Sequence, residues 1–185
     1  HDTQWRSNQD LGGLSLNADI KVGPGTLSAT TAWRYWNWDP SNDRDFTGLQ
    51  ALKLSQAPSK HEQWSQELRW AGTFSSKLSA VFGVFVFGQN LKSSPDQTEE
   101  SGSATWRFSQ STTSTLWKTP GLFEGYGIKT RQNLNTLSAA VFGQLDIALT
   151  NRLSLMPGIR YNYDSKDIEF SRTTYGGLQT TDPAL

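Results

Sequence analysis

Apolar and polar residues alternate with a period of two in six segments of this chain. In the first segment, from Leu14 to Val22, the even positions are apolar and the odd positions are polar, so a strand would carry them on opposite faces. Five further segments of this kind lie at residues 27–38, 63–71, 78–89, 137–149 and 153–163. The pattern predicts an all-β protein with about six strands, most of them apolar on one face only.

The connections between these predicted strands alternate between short and long. Residues 23–26, 72–77 and 150–152 are tight turns. Residues 39–62 and 90–136 are long and polar, and a third long loop is expected from near Asp164. Such loops are uncommon in a compact soluble domain. Short turns at one end and long loops at the other are typical of an antiparallel transmembrane β-barrel, and we expect a segment of one.

Aromatic residues collect near the long-loop ends of the predicted strands. Amphipathic rings prefer the headgroup level of a membrane, so the cluster favours an aromatic belt at the membrane surface. The alternative is that aromatic residues simply favour strands. The residues concerned are Trp33, Tyr35, Trp36, Trp38, Trp64, Tyr161 and Tyr163.

Composition removes several classes of protein. Lys plus Arg and Asp plus Glu both number 17, so no excess of basic charge is present to bind nucleic acid. Cysteine is absent, which excludes disulfides, thiolate zinc sites and cysteine nucleophiles within this chain. No stretch approaches the roughly 18 apolar residues of a membrane helix. Charged residues are only 18% while aromatic residues reach 12%, with 8 Trp.

Motifs for catalysis or metal binding fail on inspection. Asp43 and Asp45 have the spacing of a phosphoaspartate motif, but no buried apolar strand directly precedes them. The same residues begin like a calcium loop, yet Leu54 stands where a bidentate Glu is required. His61 has only His1 as a second histidine, and no nucleophile elbow or phosphate-binding glycine loop is present. We therefore expect no enzyme, no metal site and no cofactor.

Three segments in order resemble one family. They are the strand-to-loop stretch 31–47, the stretch Gln-Trp-Ser-Gln-Glu-Leu-Arg at 63–69, and Val-Phe-Gly-Gln at 141–144 followed by Leu-Ser-Leu at 153–155 and Gly-Ile-Arg-Tyr at 158–161. The chain resembles siderophore-receptor-like members of the TonB-dependent outer-membrane receptors over about residues 11–170. The resemblance implies that residues 1–185 are an internal part of a single, larger and plugged β-barrel domain in the outer membrane of a Gram-negative bacterium.

The resemblance also implies partners and a function. The chain would contact outer-membrane lipid and the plug domain of the same full-length protein, and TonB would act through segments outside it. The function would be TonB-dependent uptake of a scarce ligand, with a ferric siderophore as the leading candidate. Haem, cobalamin and glycan receptors share this kind of wall, so the ligand stays open.

Candidate site residues fall into two groups. Aromatic and charged loop residues suit large anionic chelates, and the candidate ligand contacts are Trp38, Asp39, Asp43, Arg44, Asp45, Trp106, Arg107, Phe108 and Trp117. Polar partners of the apolar stripes should face the lumen, and these are Arg34, Glu67, Arg69, Gln144 and Arg160. Phe85 and Phe87 would share that side and pack against a plug.

Two other functions compete with this interpretation. A soluble carbohydrate-binding β-sandwich would explain the tryptophans, which could stack on sugar rings, and the polar loops. It would not explain why short and long connections alternate. A small passive porin-like barrel would explain the strands, but its loops would not need the receptor-like segments.

Overall fold

The computed structural model describes residues 5–104, 112–113, 115–119, 121–179 and 181. These residues form an all-β antiparallel sheet of nine strands, and no helix among them is long and apolar enough to cross a membrane. The elements are β1 Arg6–Val22, β2 Gly25–Asn42, β3 Leu54–Gln56, β4 Ser59–Ser75, β5 Leu78–Lys92, β6 Gln97–Glu100, a 3-10 helix Leu116–Lys118, β7 Gly127–Thr150, β8 Leu153–Leu155 and β9 Gly158–Tyr175.

The nine strands are organised as six long ones. β1, β2, β4, β5, β7 and β9 pair with one another in that order, each antiparallel to its neighbours. The three short strands prolong long ones: β3 leads into β4 and pairs with β2, β6 follows β5 and pairs with β7, and β8 leads into β9 and also pairs with β7. The prediction of about six strands is confirmed.

Each prolongation is separated from its long strand by a proline. Pro58 lies between β3 and β4, Pro95 between β5 and β6, and Pro157 between β8 and β9. Proline has no backbone N–H to donate to a ladder, so regular pairing stops there. The pairing resumes nearby because carbonyl groups still accept: the Leu145 N–H donates to the Pro157 carbonyl over 2.9 Å.

Connections alternate in length as predicted. Tight turns at residues 23–24, 76–77 and 151–152 lie at one end of the sheet, which we call the turn end. Gly23 has a φ of 59°, a left-handed conformation that glycine adopts without strain. The long connections, one over residues 43–53 and one from Glu100 to Gly127, start and end at the opposite end of the sheet, the loop end.

The strands extend further toward the loop end than the sequence predicted. β1 begins at Arg6, β7 begins at Gly127, and β9 runs to Tyr175, so the third long loop expected from Asp164 was wrong. These extensions carry polar residues on both faces, with Ile168 and Phe170 of β9 as exposed apolar residues on the polar face. Backbone hydrogen bonds and polar cross-strand pairs stabilise the extensions. In one such pair, the Asn90 side-chain amide donates to the Asn135 side-chain oxygen over 2.7 Å.

The register places the predicted apolar stripes on one face of the sheet, because cross-strand partners share a face. Leu14 pairs with Trp33 and Trp33 with Trp64, while Val84 pairs with Val141 and Val141 with Tyr161. We call this the apolar face and the opposite one the polar face. The apolar face carries Leu14, Leu16, Ile20, Leu27, Trp33, Tyr35, Trp64, Leu68, Trp70, Phe82, Val84, Val86, Leu137, Val141, Ile159, Tyr161 and Tyr163.

Within the described part of the chain, neither face is covered by a second layer of secondary structure. Among the described residues, the buried hydrophobic side chains are only Ala51, Ala80 and Ala140. By contrast, Leu14 is 78% exposed and Ile159 is 79% exposed. A β-sandwich needs two sheets packed face to face, and the described part of this chain forms one sheet. The sandwich alternative therefore finds no support in the fold.

Candidate functional site

The loop end of the apolar face carries aromatic rings whose polar atoms reach carboxylates. The Trp33 indole N–H donates to Glu62 Oε1 over 3.0 Å, and the Tyr35 hydroxyl donates to Asp10 Oδ1 over 3.2 Å. Trp64, the cross-strand partner of Trp33, completes this group, which we call the loop-end belt. A ring with an apolar body and a hydrogen-bonded tip suits the boundary between hydrocarbon and water.

A second aromatic group, the turn-end belt, lies at the other end of the apolar face. The Trp70 ring centroid lies 5.4 Å from that of Phe74 and 6.2 Å from that of Phe82. Trp64 and Phe74 are about ten residue steps of roughly 3.3 Å apart along β4. At a strand tilt of about 40°, that length covers about 25 Å of thickness, the height of the apolar band on a membrane barrel.

The predicted aromatic belt divides between the two faces. Trp36 and Trp38 lie on the polar face, because neighbouring residues in a strand point to opposite sides. Their assignment to the belt was wrong. Tyr161 and Tyr163 lie on the apolar face, near the turn-end start of β9 rather than at its loop end.

The five residues predicted to face the lumen share the polar face. Their positions follow from the pairings of Arg34 with Gln63, Glu67 with Phe85, Arg69 with Gly83, Gln144 with Val81, and Arg160 with Phe142. Phe87 lies on the same face as Phe85. Whether this face lines a lumen stays a prediction, but the sharing of one face is a property of the fold.

Phe142 lies on the polar face near the turn end, in contact with residues of both neighbouring strands. The Arg160 guanidinium lies 5.5 Å from the Phe142 ring centroid, and Arg160 Nε donates to Asn162 Oδ1 over 2.7 Å. The ring covers Gly83 so closely that a Cβ there would lie 2.3 Å from it. Arg69 is the other cross-strand partner of Gly83, so Phe142 and Gly83 lie between two arginines.

Trp36 and Trp38 form a stacked pair at the loop end of the polar face. Their ring centroids lie 6.0 Å apart with an interplanar angle of 10°, and the His61 ring centroid lies 4.8 Å from that of Trp36. The Trp38 indole N–H donates to Ser7 Oγ over 3.0 Å, and that of Trp36 is bound by Gln9 Oε1 at 3.4 Å. The pair presents flat apolar surface beside polar groups.

A cleft lies against each tryptophan of this stacked pair. The first, about 620 Å³, includes Arg34, Trp36 and His61 in its lining. The second, about 640 Å³, includes Trp38 and Phe46 and lies at the loop end. Both volumes fall in the range of small-molecule sites. We call the two clefts and the tryptophans between them the aromatic trough; the side on which Trp36 lies was readable from strand alternation alone.

Asp45 holds the first long loop together rather than projecting from it. Its Oδ1 accepts from the Thr47 N–H over 2.9 Å, and its Oδ2 accepts from the N–H groups of Leu52 over 2.8 Å and Ala51 over 3.2 Å. These bonds, above all that from Leu52, lower the pKa of Asp45 from 3.8 to about 2. Asp43 is fully buried, and its Oδ1 accepts from the Asp45 N–H over 3.2 Å.

The neighbouring candidate contacts are also engaged within the chain. Arg44 forms an exposed ion pair with Glu99 at 2.7 Å. Asp39 pairs with Arg6 at 2.9 Å, and this guanidinium lowers the pKa of the Asp39 carboxyl. The described residues contain no group of side chains arranged to hold a metal ion. Ligand contact by these residues therefore stays a prediction.

The second long loop contributes Trp117, which lies in the 3-10 helix. It lines a cleft of about 540 Å³ together with Leu122 and Phe123. The Lys118 ammonium lies 5.2 Å from the Trp117 ring centroid. The other predicted contacts in this loop, Trp106, Arg107 and Phe108, lie outside the described residues.

The sheet is similar to part of a solved uptake receptor. It matches the crystal structure of the ferric yersiniabactin uptake receptor FyuA from Yersinia pestis with a TM-score of 0.68 and 14% sequence identity. The match covers 94% of this chain and 23% of that receptor, so the chain spans about a quarter of the receptor's length. No protein-family model and no curated protein matches the sequence. At this identity the likeness concerns the fold.

Proposed function

We propose that this chain is part of the wall of a TonB-dependent receptor in the outer membrane of a Gram-negative bacterium. The receptor takes up a scarce ligand, and a ferric siderophore is the leading class. Residues 1–185 belong to one barrel domain, with the apolar face toward lipid and the polar face toward the lumen and its plug. The structural likeness to a ferric yersiniabactin uptake receptor supports this proposal.

The observation that carries the proposal is the exposed apolar face. It unites stripes from six long strands, lies between two aromatic belts, and has no protein layer over it in the described residues. Soluble monomers rarely expose contiguous apolar surface on this scale. In lipid, an exposed apolar face carries no hydration penalty. Strands can cross a lipid bilayer only as part of a closed sheet, because their backbone groups must be paired there.

The aromatic trough supports the ligand part of the proposal. It opens at the loop end, where receptors of this kind would meet their ligand, and it combines flat rings with Arg34. Phe85 and Phe87 lie further from the loop end on the same face. Apolar rings on that side favour packing against a plug over an open aqueous pore.

Cysteine labelling in the full-length protein tests the orientation of the wall. The chain has no cysteine, so a single introduced thiol is the only reactive one it contributes. Leu68→Cys and Glu67→Cys form a matched pair, since they are neighbours in β4 on opposite faces. We expect a lipid-soluble maleimide to label Leu68→Cys and a water-soluble one to leave it unlabelled in intact outer membranes.

Labelling of Glu67→Cys should show the opposite preference wherever water reaches the lumen. Strong labelling of Leu68→Cys by the water-soluble reagent would contradict the membrane assignment. Access of that reagent to Phe85→Cys in the folded receptor would count against a plug packed on Phe85.

Growth under iron limitation tests the ligand class. An uptake-deficient host expressing the full-length protein is supplied with single ferric siderophores of the catecholate, hydroxamate or phenolate type. We expect one class to restore growth and a host lacking TonB to lose it. Restored growth on haem alone, with none on any ferric siderophore, would reject the siderophore class while leaving the wall assignment intact.

A further inference from the structure

Two lysines face each other across the β4–β5 ladder. Lys60 and Lys92 are direct cross-strand partners on the apolar face, and both are exposed. Directly opposite side chains have Cβ atoms about 5 Å apart, and like charges at that separation destabilise a sheet. A negative charge bound between the two lysines would therefore stabilise this position.

Protein groups do not supply that charge as an ion pair. Arg6 is paired with Asp39 and Arg131 with Asp96, each at 2.9 Å, on the same face and at the same end. Lys60 and Lys92 form no ion pair within the described residues.

The residues that flank the two lysines are mostly neutral. Asn37 pairs with Lys60 and Asn133 with Lys92. Glu62, the acidic residue next to Lys60 on this face, accepts the indole N–H of Trp33 with its Oε1. That carboxylate keeps its charge, but it forms no ion pair with either lysine among the described residues.

If the apolar face meets a membrane, the backbone of Lys60 lies just outside the headgroup layer, within reach of its long side chain. Lys60 is about four residue steps beyond Trp64 of the loop-end belt, roughly 13 Å along the strand and about 10 Å along the membrane normal at a tilt of about 40°. Headgroup regions are roughly 5 to 8 Å thick on each side of the hydrocarbon. Flexible lysine side chains can bend toward that layer.

We propose that Lys60 and Lys92 together bind the phosphate group of a membrane lipid in the leaflet at the loop end. One phosphate between two ammonium groups replaces the repulsion with two charge-assisted hydrogen bonds. The inference rests on the proposed function, since it requires the apolar face to be embedded in lipid. The lysines would hold an anionic lipid against β4 and β5, below the first long loop.

Lipid titration of the full-length protein tests the site. The delipidated protein in neutral detergent is titrated with short-chain phosphatidic acid, and bound lipid is counted by native mass spectrometry. The variants are Lys60→Gln, Lys92→Gln and the double substitution. Lys166→Gln is the matched control, because Lys166 is an exposed lysine of β9 on the polar face.

We expect each single substitution to weaken lipid binding about fivefold and the double one about thirtyfold, from roughly one kcal/mol per lysine near an anionic surface. Lys166→Gln should bind as the unsubstituted protein does. Phosphatidylcholine should bind weakly to all variants. Inorganic phosphate at the same concentration should not displace the lipid.

Several outcomes would overturn the inference. Equal losses in Lys166→Gln would indicate unspecific charge attraction, and full displacement by inorganic phosphate would indicate an anion site that does not require lipid. Unchanged binding in the double variant would reject the site outright. If Leu68→Cys still reacts from the lipid phase in that case, this inference alone fails and the proposed function stands.

Thermal unfolding without lipid provides an independent readout. Because the substitutions remove repulsion, Lys60→Gln and Lys92→Gln should leave the melting temperature unchanged or raise it in neutral detergent. Added phosphatidic acid should then stabilise the unsubstituted protein more than the double variant. A lower melting temperature of the variants without lipid would mean that the lysines stabilise the sheet directly, which contradicts the proposal.

Discussion

The two faces of the sheet differ sharply although they alternate residue by residue along the same strands. On the apolar face, Leu14 and Ile159 are more than three-quarters exposed and have no polar neighbour opposite them. On the polar face, Arg69 and Arg160 lie on either side of Gly83 and Phe142, and Trp36 stacks on Trp38 beside the tilted ring of His61. The faces share one backbone, so the difference reflects two environments rather than two folds.

The difference also separates two uses of aromatic residues. Trp33 and Trp36 are three residues apart in β2, but the first ties its indole to a carboxylate at the rim of the apolar face and the second lines the aromatic trough. In the proposed receptor, membrane anchoring and ligand contact would thus come from nearby positions of one strand. Substitutions at adjacent positions of one strand should therefore have different effects, because they alter opposite faces of the sheet.

The largest difference is expected for arginine at adjacent positions of β2. Ala29 lies on the apolar face opposite Leu68, and Thr30 lies on the polar face opposite Glu67. Ala29→Arg should lower the free energy of unfolding in liposomes by about 2 to 4 kcal/mol, because a charge near the bilayer midplane is costly. Thr30→Arg should change it little. Urea titration of the full-length protein in liposomes measures both, and equal effects would contradict the separation of the faces.

A somewhat smaller effect is expected where a ring covers a strand glycine. A Cβ at Gly88 would lie 2.5 Å from Trp64 Nε1, so Gly88→Ala displaces a ring of the loop-end belt. We expect a loss of about 1 to 3 kcal/mol, as for overpacking. Trp64→Ala in the same protein should remove most of that loss. Gly48→Ala, in open space, is the control and should be neutral.

The loop above the polar face should respond to acid through Asp45. Its pKa is lowered from 3.8 to about 2, so its stabilising bonds are complete above about pH 4 and are lost as the pH falls toward 2. Asp45→Ala should lower the local stability of the loop by about 1 to 2 kcal/mol. Hydrogen exchange at the amides of Ala51 and Leu52 should therefore become faster at neutral pH. Arg44→Ala removes an exposed ion pair and should not speed this exchange. Unchanged exchange in Asp45→Ala would contradict the role assigned to this carboxylate.

The smallest effect concerns ligand affinity. Trp36→Ala removes one ring of the stacked pair and should weaken binding of the ligand that restores growth about two- to tenfold, since ring contacts contribute about 0.5 to 1.5 kcal/mol. Trp33→Ala removes a ring of the apolar face and should leave affinity unchanged. Radiolabelled uptake by whole cells measures both. A larger loss in Trp33→Ala would place the ligand contact elsewhere.

The alternation of residues was enough to predict the number of long strands, their tight turns and the ends at which loops lie. The strand extensions were missed because β9 beyond Asp164 carries charged residues on both faces, a pattern that is also typical of a loop. The short strands β3 and β6 were missed since three or four residues show no period. Their pairing depends on strands distant in sequence.

The candidate site was predictable only in part. Strand alternation correctly put Arg34 and Arg160 on one face, and it also determines the side of Trp36, which clustering near the strand end had assigned to the membrane belt. The roles of Asp43 and Asp45 could not be read in advance. Both look like free loop carboxylates in the sequence, and only the folded loop brings the amides of Ala51 and Leu52 to Asp45.

The sequence by itself determined the two-sided character of each strand, because the side-chain period of an extended chain is two whatever its neighbours are. The register between strands belongs to the tertiary structure. A shift of one residue would have sent a stripe to the other face. Only the pairing of Trp33 with Trp64 and Lys60 with Lys92 brings belt and cations together, because those contacts depend on backbone hydrogen bonds between segments distant in the chain.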